Sequence, residues 1–291
     1  MQFRSDLAAE AVEALGTEPL SPQDVRQRSF EDGALHMTAI EVVSPRGEQL
    51  LHKPRGRYIT AEVPPLSDNG DAMEDMACRL GAQLRELLPD SGAVLVAGLG
   101  NESITPDALG PKAASMVLAT RHIRGEFARS AGLSDLRPTA VLSPGVLGQT
   151  GVESSEIIRG LCAMVRPAAV IVVDALACRS LSRLGCTVQV CDTGIAPGSG
   201  VGNHRQALNA DTLGVPVIAI GVPTVVDAAT IAMELTGSDN ADTVLPQGRG
   251  MMVTPREIDL LIDRASRLVA MTINRMLQPE YSPLELIAIA V

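Results

Sequence analysis

The sequence is poor in aromatic residues and has no concentration of positive charge. It contains three Phe, two Tyr and no Trp in 291 residues, so few side chains are available for stacking against nucleic-acid bases. Asp and Glu total 34 against 24 Lys and Arg, which gives a formal net charge of −10. An acidic chain without a basic block binds phosphate backbones poorly. We therefore expect no direct binding of nucleic acid.

Signals for secretion and membrane insertion are also missing. The first twenty residues lack the apolar segment of a signal peptide and instead carry Arg4, Asp6, Glu10, Glu13 and Glu18. No stretch approaches the roughly 20 apolar residues that a membrane-spanning helix requires. The five cysteines are odd in number and have no CxxC spacing, which favours reduced and buried thiols. These absences predict a cytoplasmic protein that does not enter a membrane.

Apolar runs typical of buried strands alternate with helical patterns along most of the chain. This alternation predicts an α/β fold with a mostly parallel central sheet flanked by helices. We expect a single domain over residues 7–291, with a small β excursion at 22–66, a core at 92–235 and a C-terminal helical closure at 254–291. The predicted strands are 36–43, 58–63, 93–97, 139–142, 168–173, 187–190 and 215–220, and the predicted helices are 72–88, 111–120, 154–165, 225–235 and 256–277.

Two aspartates are placed where an α/β sheet binds its ligands. Asp107 lies in a glycine-rich loop after the strand 93–97, and Asp174 ends the strand 168–173. Ligands of open parallel sheets bind beyond the carboxyl ends of the strands. Two carboxylates brought together there repel each other, which separates their pKa values and suits them to act as general acid and general base. Each aspartate taken singly is more typical of a helix cap or a turn.

A second glycine-rich loop covers residues 191–205. Its Asp192-Thr193-Gly194 is similar to the motif of pepsin-like proteases, but those enzymes are all-β and the surrounding pattern is α/β. The glycines also resemble a phosphate-binding loop, although no GxxxxGK[ST] pattern is present. We interpret residues 191–205 as a loop that faces the substrate.

The histidines and cysteines form no standard catalytic or metal motif. His36, His52, His122 and His204 show no HExxH or HxH spacing. A thiol nucleophile at Cys178 or Cys191 ranks low because no His and Asn partners can be inferred, and a GxSxG elbow is absent. We expect no bound metal and no cofactor.

Several motifs together resemble the germination protease family in order and spacing. The likeness runs from residue 4 to about residue 235. The matching segments are 4–11 (RSDLAAEA), 98–111 (GLGNESITPDALGP), 120–122 (TRH), 143–146 (SPGV), 174–180 (DALACRS), 192–194 (DTG), 197–203 (PGSGVGN) and 220–227 (IGVPTVVD). Long motifs in register are far more specific than any single loop.

This resemblance implies an endopeptidase that degrades small acid-soluble spore proteins during germination. It also implies a homotetramer, made as a zymogen, in the cytoplasm of the spore core, with a fold similar to that of hydrogenase-maturation endopeptidases. The two aspartates proposed as catalytic in the family fall on Asp107 and Asp174. The other motif residues expected at the active site or facing substrate are Gly100, Asn101, Thr105, Arg179, Asp192, Thr193, Gly194, Ser199, Asn203 and His204.

The resemblance further implies a pro-segment that the enzyme removes from itself. Ser5-Asp6-Leu7-Ala8 matches the family pattern of an acidic residue followed by an apolar residue and Ala, which predicts a pro-segment over residues 1–6 and a cut between Asp6 and Leu7. The same residues are also typical of a capped helix start. Two alternatives stay open: a metal-dependent endopeptidase that uses the same acidic residues as ligands, and a non-catalytic binding module.

Overall fold

The computed structural model describes residues 5–16, 20–67, 72–123, 125–130, 133, 135–198, 205–236, 251–282 and 286. Within them a nine-stranded sheet is flanked by helices, which confirms the α/β class. The strands are β1 Val25–Asp32, β2 Leu35–Val42, β3 Gly56–Glu62, β4 Val94–Gly98, β5 Thr139–Leu142, β6 Ala169–Cys178, β7 Thr187–Cys191, β8 Val217–Asp227 and β9 Met252–Val253. The helices are α1 Ala8–Glu13, α2 Pro45–Leu51, α3 Met73–Arg85, α4 Leu109–Ser115, α5 Gly125–Ser130, α6 Leu147–Thr150, α7 Ser154–Val165, α8 Ala210–Leu213, α9 Ala228–Thr236 and α10 Ile258–Leu277.

The sheet is mixed: its parallel strands β4, β5, β6 and β8 lie in the predicted core at 92–235, whereas β7 of that core is antiparallel to both of its neighbours. The strand order is β1-β2-β3-β7-β8-β6-β4-β5, with β9 paired to β8. Strand β4 runs parallel to β5 and β6, and β6 runs parallel to β8. The pairings of β1 with β2, β2 with β3, β3 with β7, β7 with β8 and β8 with β9 are antiparallel. The strands of the predicted excursion at 22–66 therefore extend the central sheet through β7.

Several predicted element ends need correction. The strand 168–173 does not end at Asp174, because β6 continues to Cys178 beside β8. Strand β8 likewise runs to Asp227 and occupies the first residues of the helix predicted at 225–235. Helix α4 covers Leu109–Ser115, so the helix predicted at 111–120 begins and ends too late. The strand 139–142 and the helix 154–165 are confirmed at the predicted bounds.

Side-chain alternation along the buried strands divides the core into two layers. Val94, Val96, Ile171 and Val173 face a cluster built with α3, α4 and α10. The intervening Leu95, Ala97, Val170 and Val172 face a cluster that includes residues of α1, α7 and α8. This period of two is the geometry of a strand buried on both faces. Asp174 continues the second series and therefore points toward the side of α1.

Helix α7 is capped at its N-terminus by a glutamate. Glu153 is its N-cap residue, and the backbone N–H of Glu153 donates to the Glu156 carboxylate at 3.3 Å. The first two residues of the helix donate from their hydroxyls, Ser154 to the Gly145 carbonyl and Ser155 to Gln206, each at 2.9 Å. In the described residues, no helix has the length and apolar character needed to cross a membrane.

Candidate active site

The loop after β4 folds back on itself, so that residues 107–110 pack closely against residues 98–100. Gly100 has φ of 113°, and a Cβ atom there would lie 2.1 Å from the Asp107 carbonyl oxygen. A Cβ atom at Gly98 would lie equally close, 2.1 Å, to the Gly110 carbonyl oxygen. Only glycine fits these approaches, because any side chain would collide with backbone. The glycines thus bring the 3₁₀ turn Thr105–Asp107 to the carboxyl end of β4.

Two hydrogen bonds hold Asp107 and its turn. The backbone N–H of Asn101 donates to Asp107 Oδ2 at 2.7 Å. Thr224 of β8, fully buried, donates from its hydroxyl to the Pro106 carbonyl at 2.8 Å. Burial raises the pKa of Asp107, whereas the Asn101 N–H and the charge of Arg205 act in the opposite direction.

Asp174 lies on β6, between the neighbouring strands β8 and β4. It pairs with Gly221 of β8, and the residue before it, Val173, pairs with Gly98 of β4. Its side chain accepts a hydrogen bond from the N–H of Ala175 at 3.0 Å, and the residue is only 6 % exposed. Burial raises the pKa of Asp174 well above its usual range, and the charges of Asp107 and Asp6 raise it further. The Ala175 N–H and the charge of Arg205 oppose this rise.

Asp107 and Asp174 line one cavity of about 390 Å³. Most of its described lining is apolar or backbone, including Leu99, Ile104 and the segment 195–198. Arg205 is the one basic residue among the described lining residues. A low-dielectric cavity in which two carboxyls have raised pKa values can keep one of them protonated beside an ionised one. A protonated and an ionised carboxyl side by side are what general acid and general base catalysis requires.

The segment before α1 enters the same cavity. Asp6 is among its lining residues, its backbone N–H donates to the Ala177 carbonyl at 3.0 Å, and its Oδ2 accepts from the Ala177 N–H at 2.9 Å. Leu7 is fully buried against Leu176, Cys178 and Val226. The segment around the predicted cut between Asp6 and Leu7 therefore lies beside the aspartate pair in extended conformation, as the backbone angles of Leu7 show.

The other predicted site residues are spread over three locations. Gly100 lines the cavity of Asp107 and Asp174. Asn101 binds the Asp107 carboxylate through its backbone N–H, and Thr105 is the first residue of the 3₁₀ turn. The backbone N–H of Arg179 donates to Glu10 at 2.7 Å. Thr193 and Gly194 line a second cavity of about 250 Å³, while Asp192 is paired with Arg57 at 2.9 Å. The remaining predicted residues, Ser199, Asn203 and His204, lie outside the described residues.

Four residues around the cavities were not singled out from the sequence. Arg205 adds positive charge beside both aspartates, and Thr224 fixes the Asp107 turn. Lys53 and Gln189 both contact the carbonyl of Asp6. Thr224 lies inside the quoted motif 220–227, and Arg205 is the last residue of the glycine-rich loop 191–205. Lys53 and Gln189 come from elements far apart in sequence, so their convergence follows from the folded sheet alone.

The described side chains contain no group of three or more His, Cys, Asp or Glu residues placed to hold a metal ion. Asp107 and Asp174 could offer two oxygen ligands in the metal-dependent alternative, and His204, which could offer a third, lies outside the described residues.

The structure is that of an α/β protein in which two carboxyl groups, those of Asp107 and Asp174, line one cavity. A sequence model described as germination protease matches residues 8–245. The chain therefore belongs to the germination protease family, and it is a peptidase. It is 40% identical to the germination protease of Caldanaerobacter subterraneus, with 95% of this chain and 94% of that one covered. The germination protease of Bacillus subtilis is also 40% identical, over 86% of this chain and 69% of that one.

A comparison with solved structures gives a more distant likeness. A nickel–iron hydrogenase maturation protease, HycI from Thermococcus kodakarensis, matches 67% of this chain and 99% of its own. The sequences are 20% identical and the TM-score is 0.39, so this likeness does not bear on the site.

Proposed function

We propose that this peptidase cleaves small acid-soluble spore proteins during spore germination and that Asp107 and Asp174 carry out the hydrolysis as a pair. The observation that supports this proposal most directly is their placement in one mostly apolar cavity where burial raises both pKa values. Membership of the germination protease family supports the substrate class. It also supports a homotetramer, made as a zymogen in the cytoplasm of the spore core.

The two aspartates take different roles in the proposed reaction. Asp174 is the more deeply buried and has the more strongly raised pKa, so it holds the proton and acts as the acid. Asp107, ionised, accepts a proton from water as the water attacks the carbonyl carbon of the peptide bond. Asp174 then gives its proton to the leaving amine. The products are a carboxylic acid and an amine, and one water molecule is consumed.

The same site is proposed to cut its own chain between Asp6 and Leu7. Asp6 lines the cavity of the aspartate pair, and Leu7 fills an apolar pocket beside it. Both are features of a bound substrate. Mass spectrometry of the protein aged at mildly acidic pH should show loss of Met1–Asp6. An intact N-terminus in a protein that cleaves substrate would show that no self-cut is needed.

Cleavage of a purified spore protein tests the proposed function. The aged protein is incubated with a small acid-soluble spore protein, and the fragments are identified by mass spectrometry. Fragments that end after an acidic residue and begin with an apolar one are expected. A stable complex without fragments would instead identify a binding module, and an unrelated acidic protein of similar size serves as the control substrate.

A further inference from the structure

The side chain of Gln189 holds the backbone on both sides of Leu7. Its Nε2 donates to the Asp6 carbonyl at 2.8 Å, and its Oε1 accepts from the Ala8 N–H at 2.6 Å. Gln189 is only 6 % exposed and lies on β7. One primary amide therefore spans the bond between Asp6 and Leu7 with a donor and an acceptor, as a neighbouring strand would. Both hydrogen bonds join Gln189 to main-chain atoms, so they do not involve the Leu7 side chain.

Lys53 adds a second donor to the same carbonyl. Burial lowers the pKa of its ammonium group, and the charge of Asp6 opposes this effect. Its Nζ lies 2.9 Å from the Asp6 carbonyl oxygen and 3.1 Å from that of Ser5. It directly follows His52, the left-handed C-cap residue of α2, and precedes Pro54, whose carbonyl accepts from Tyr58 at 2.7 Å. The turn is thus fixed on both sides of the lysine. The side chains of Lys53 and Gln189, which lie in different parts of the fold, thus donate to the same Asp6 carbonyl oxygen.

The register of the sheet places this contact near the aspartate pair. Gln189 pairs with Gly221, and Gly221 pairs with Asp174 on its other side. Residues paired in one row point to the same face, so Gln189 and Asp174 share a face across two strand spacings, about 10 Å. The Leu176 side chain occupies the space next to Gly221, and Leu176 lines both cavities. Asp6 lines the cavities on both sides, that of Asp107 and Asp174 and the second cavity with Lys53 and Gln189.

We propose that Lys53 and Gln189 together form a carbonyl clamp that binds the oxygen of the residue immediately before the cleaved peptide bond. The inference rests on the proposed function and adds catalytic residues to it. When water adds to the carbonyl carbon, the C=O double bond becomes a single bond and negative charge develops on this oxygen. Two prearranged donors, one of them cationic, stabilise that negative charge. When the bond to the amine nitrogen breaks, the C=O double bond forms again and the oxygen loses the charge.

A purely structural role predicts different behaviour. If Lys53 and Gln189 only hold residues 5–8 in place, their loss should loosen this segment and leave the chemical step unchanged. It would then raise KM or speed the release of the segment. A clamp that acts on developing charge contributes mainly to kcat, because its interaction strengthens in the transition state. The ratio of the two kinetic effects separates the roles.

The test compares three full-length variants with the wild-type protein. Lys53→Met removes the charged donor, and Gln189→Glu removes the amide donor while keeping an oxygen for the Ala8 N–H. Lys112→Met is the matched control, since Lys53 and Lys112 are the two lysines of the chain and Lys112 lies on α4. The substrate is a synthetic peptide with the sequence of residues 3–12, and its cut between Asp and Leu is followed by mass spectrometry.

We expect each clamp variant to lose about 10²–10³-fold in kcat with little change in KM. Lys112→Met should match the wild type. Thermal unfolding checks that each variant is folded, and Gln189→Glu, which preserves shape, provides the test if Lys53→Met does not fold. Unchanged or faster turnover in a folded clamp variant, or an effect confined to KM, would overturn the clamp. If the wild-type protein itself leaves the peptide intact, the proposed function fails first and the clamp with it.

Discussion

Asp174 is an ionisable residue that is almost completely buried. Its folded-state pKa is raised, mainly by burial, so the protonated form is favoured in the fold. Stability from such a group is fully present below the ordinary pKa of Asp, about 4, and is lost as pH rises through the raised folded value. We therefore predict that Asp174→Asn, which never ionises, has a higher melting temperature than the wild type at pH 7. The difference should shrink as the pH falls toward about 4.

Thermal unfolding between pH 4 and pH 8 measures this difference. Asp259→Asn is the control, because Asp259 is exposed on the first turn of α10 and its replacement should give no gain that grows with pH. A less stable Asp174→Asn protein at pH 7 would contradict the raised pKa. A more stable but inactive variant would show that the site sacrifices stability for function.

At the residue scale, part of the site was accessible to sequence reasoning. Asp107 and Asp174 were selected by a rule about strand ends, which needs only local pattern and fold class. Asp107 does follow the end of β4, whereas Asp174 lies inside β6, which continues to Cys178. Lys53 and Gln189 obey no such rule, because Lys53 lies between α2 and β3 and comes near Gln189 of β7 through the antiparallel pairing of β3 with β7. The cation Arg205 was visible in its loop, but its action on both aspartates depends on how that loop returns to the sheet.

At the element scale, the loop after β4 depends on a glycine that cannot be replaced. A methyl group at Gly100 would collide with the Asp107 carbonyl and force a φ of 113° on an L-residue. We predict that Gly100→Ala loses peptidase activity, because the Asp107 turn must move, and is destabilised by about 1–3 kcal/mol or more. Chemical denaturation and a cleavage assay measure the two effects.

A second glycine provides the matched control for this loop. Gly160 lies inside α7, and a Cβ atom there would have no neighbour within 4 Å. Gly160→Ala should keep full activity and gain about 0.5–1 kcal/mol, as expected for a glycine in a helix interior. Activity in Gly100→Ala equal to that in Gly160→Ala would show that the tight return of the chain is unnecessary.

The elements that sequence reasoning missed or shortened are those defined by their neighbours. Strand β1, Val25–Asp32, is largely exposed and polar, so it shows no apolar alternation; it forms because it pairs with β2 along its whole length. Strands β6 and β8 extend beyond their apolar runs because each continues the ladder of the other. Helix α7, in contrast, has a local apolar stripe and cap, and its bounds were predictable.

At the scale of the whole molecule, we predict a homotetramer. The surface of the described residues exposes large apolar side chains, including Met164 at 74 % and Leu235 at 73 %, that association would cover. Light scattering at micromolar concentration should give about four times the chain mass of 30.5 kDa. A mass equal to a single chain would contradict the prediction.

We also predict that catalysis survives removal of divalent metal. The raised pKa values of Asp107 and Asp174 suit a shared proton, and the two carboxylates alone would hold a transition metal poorly. Activity is measured after chelator treatment and dialysis, together with metal analysis of the protein. Activity that disappears with the metal and returns with one added cation would favour the metal-dependent alternative and make His204→Ala the next variant to test.

The central claim is that Asp107 and Asp174 act as one catalytic pair. The most direct measurement is the rate at which Asp107→Asn and Asp174→Asn cleave a small acid-soluble spore protein, with Asp259→Asn as the control. Loss of the base or the acid should lower the rate by about 10²–10⁴-fold in each variant while the fold is retained, and the control should match the wild type. Near-normal cleavage by a folded Asp107→Asn or Asp174→Asn protein would remove that residue from the mechanism and contradict the pair.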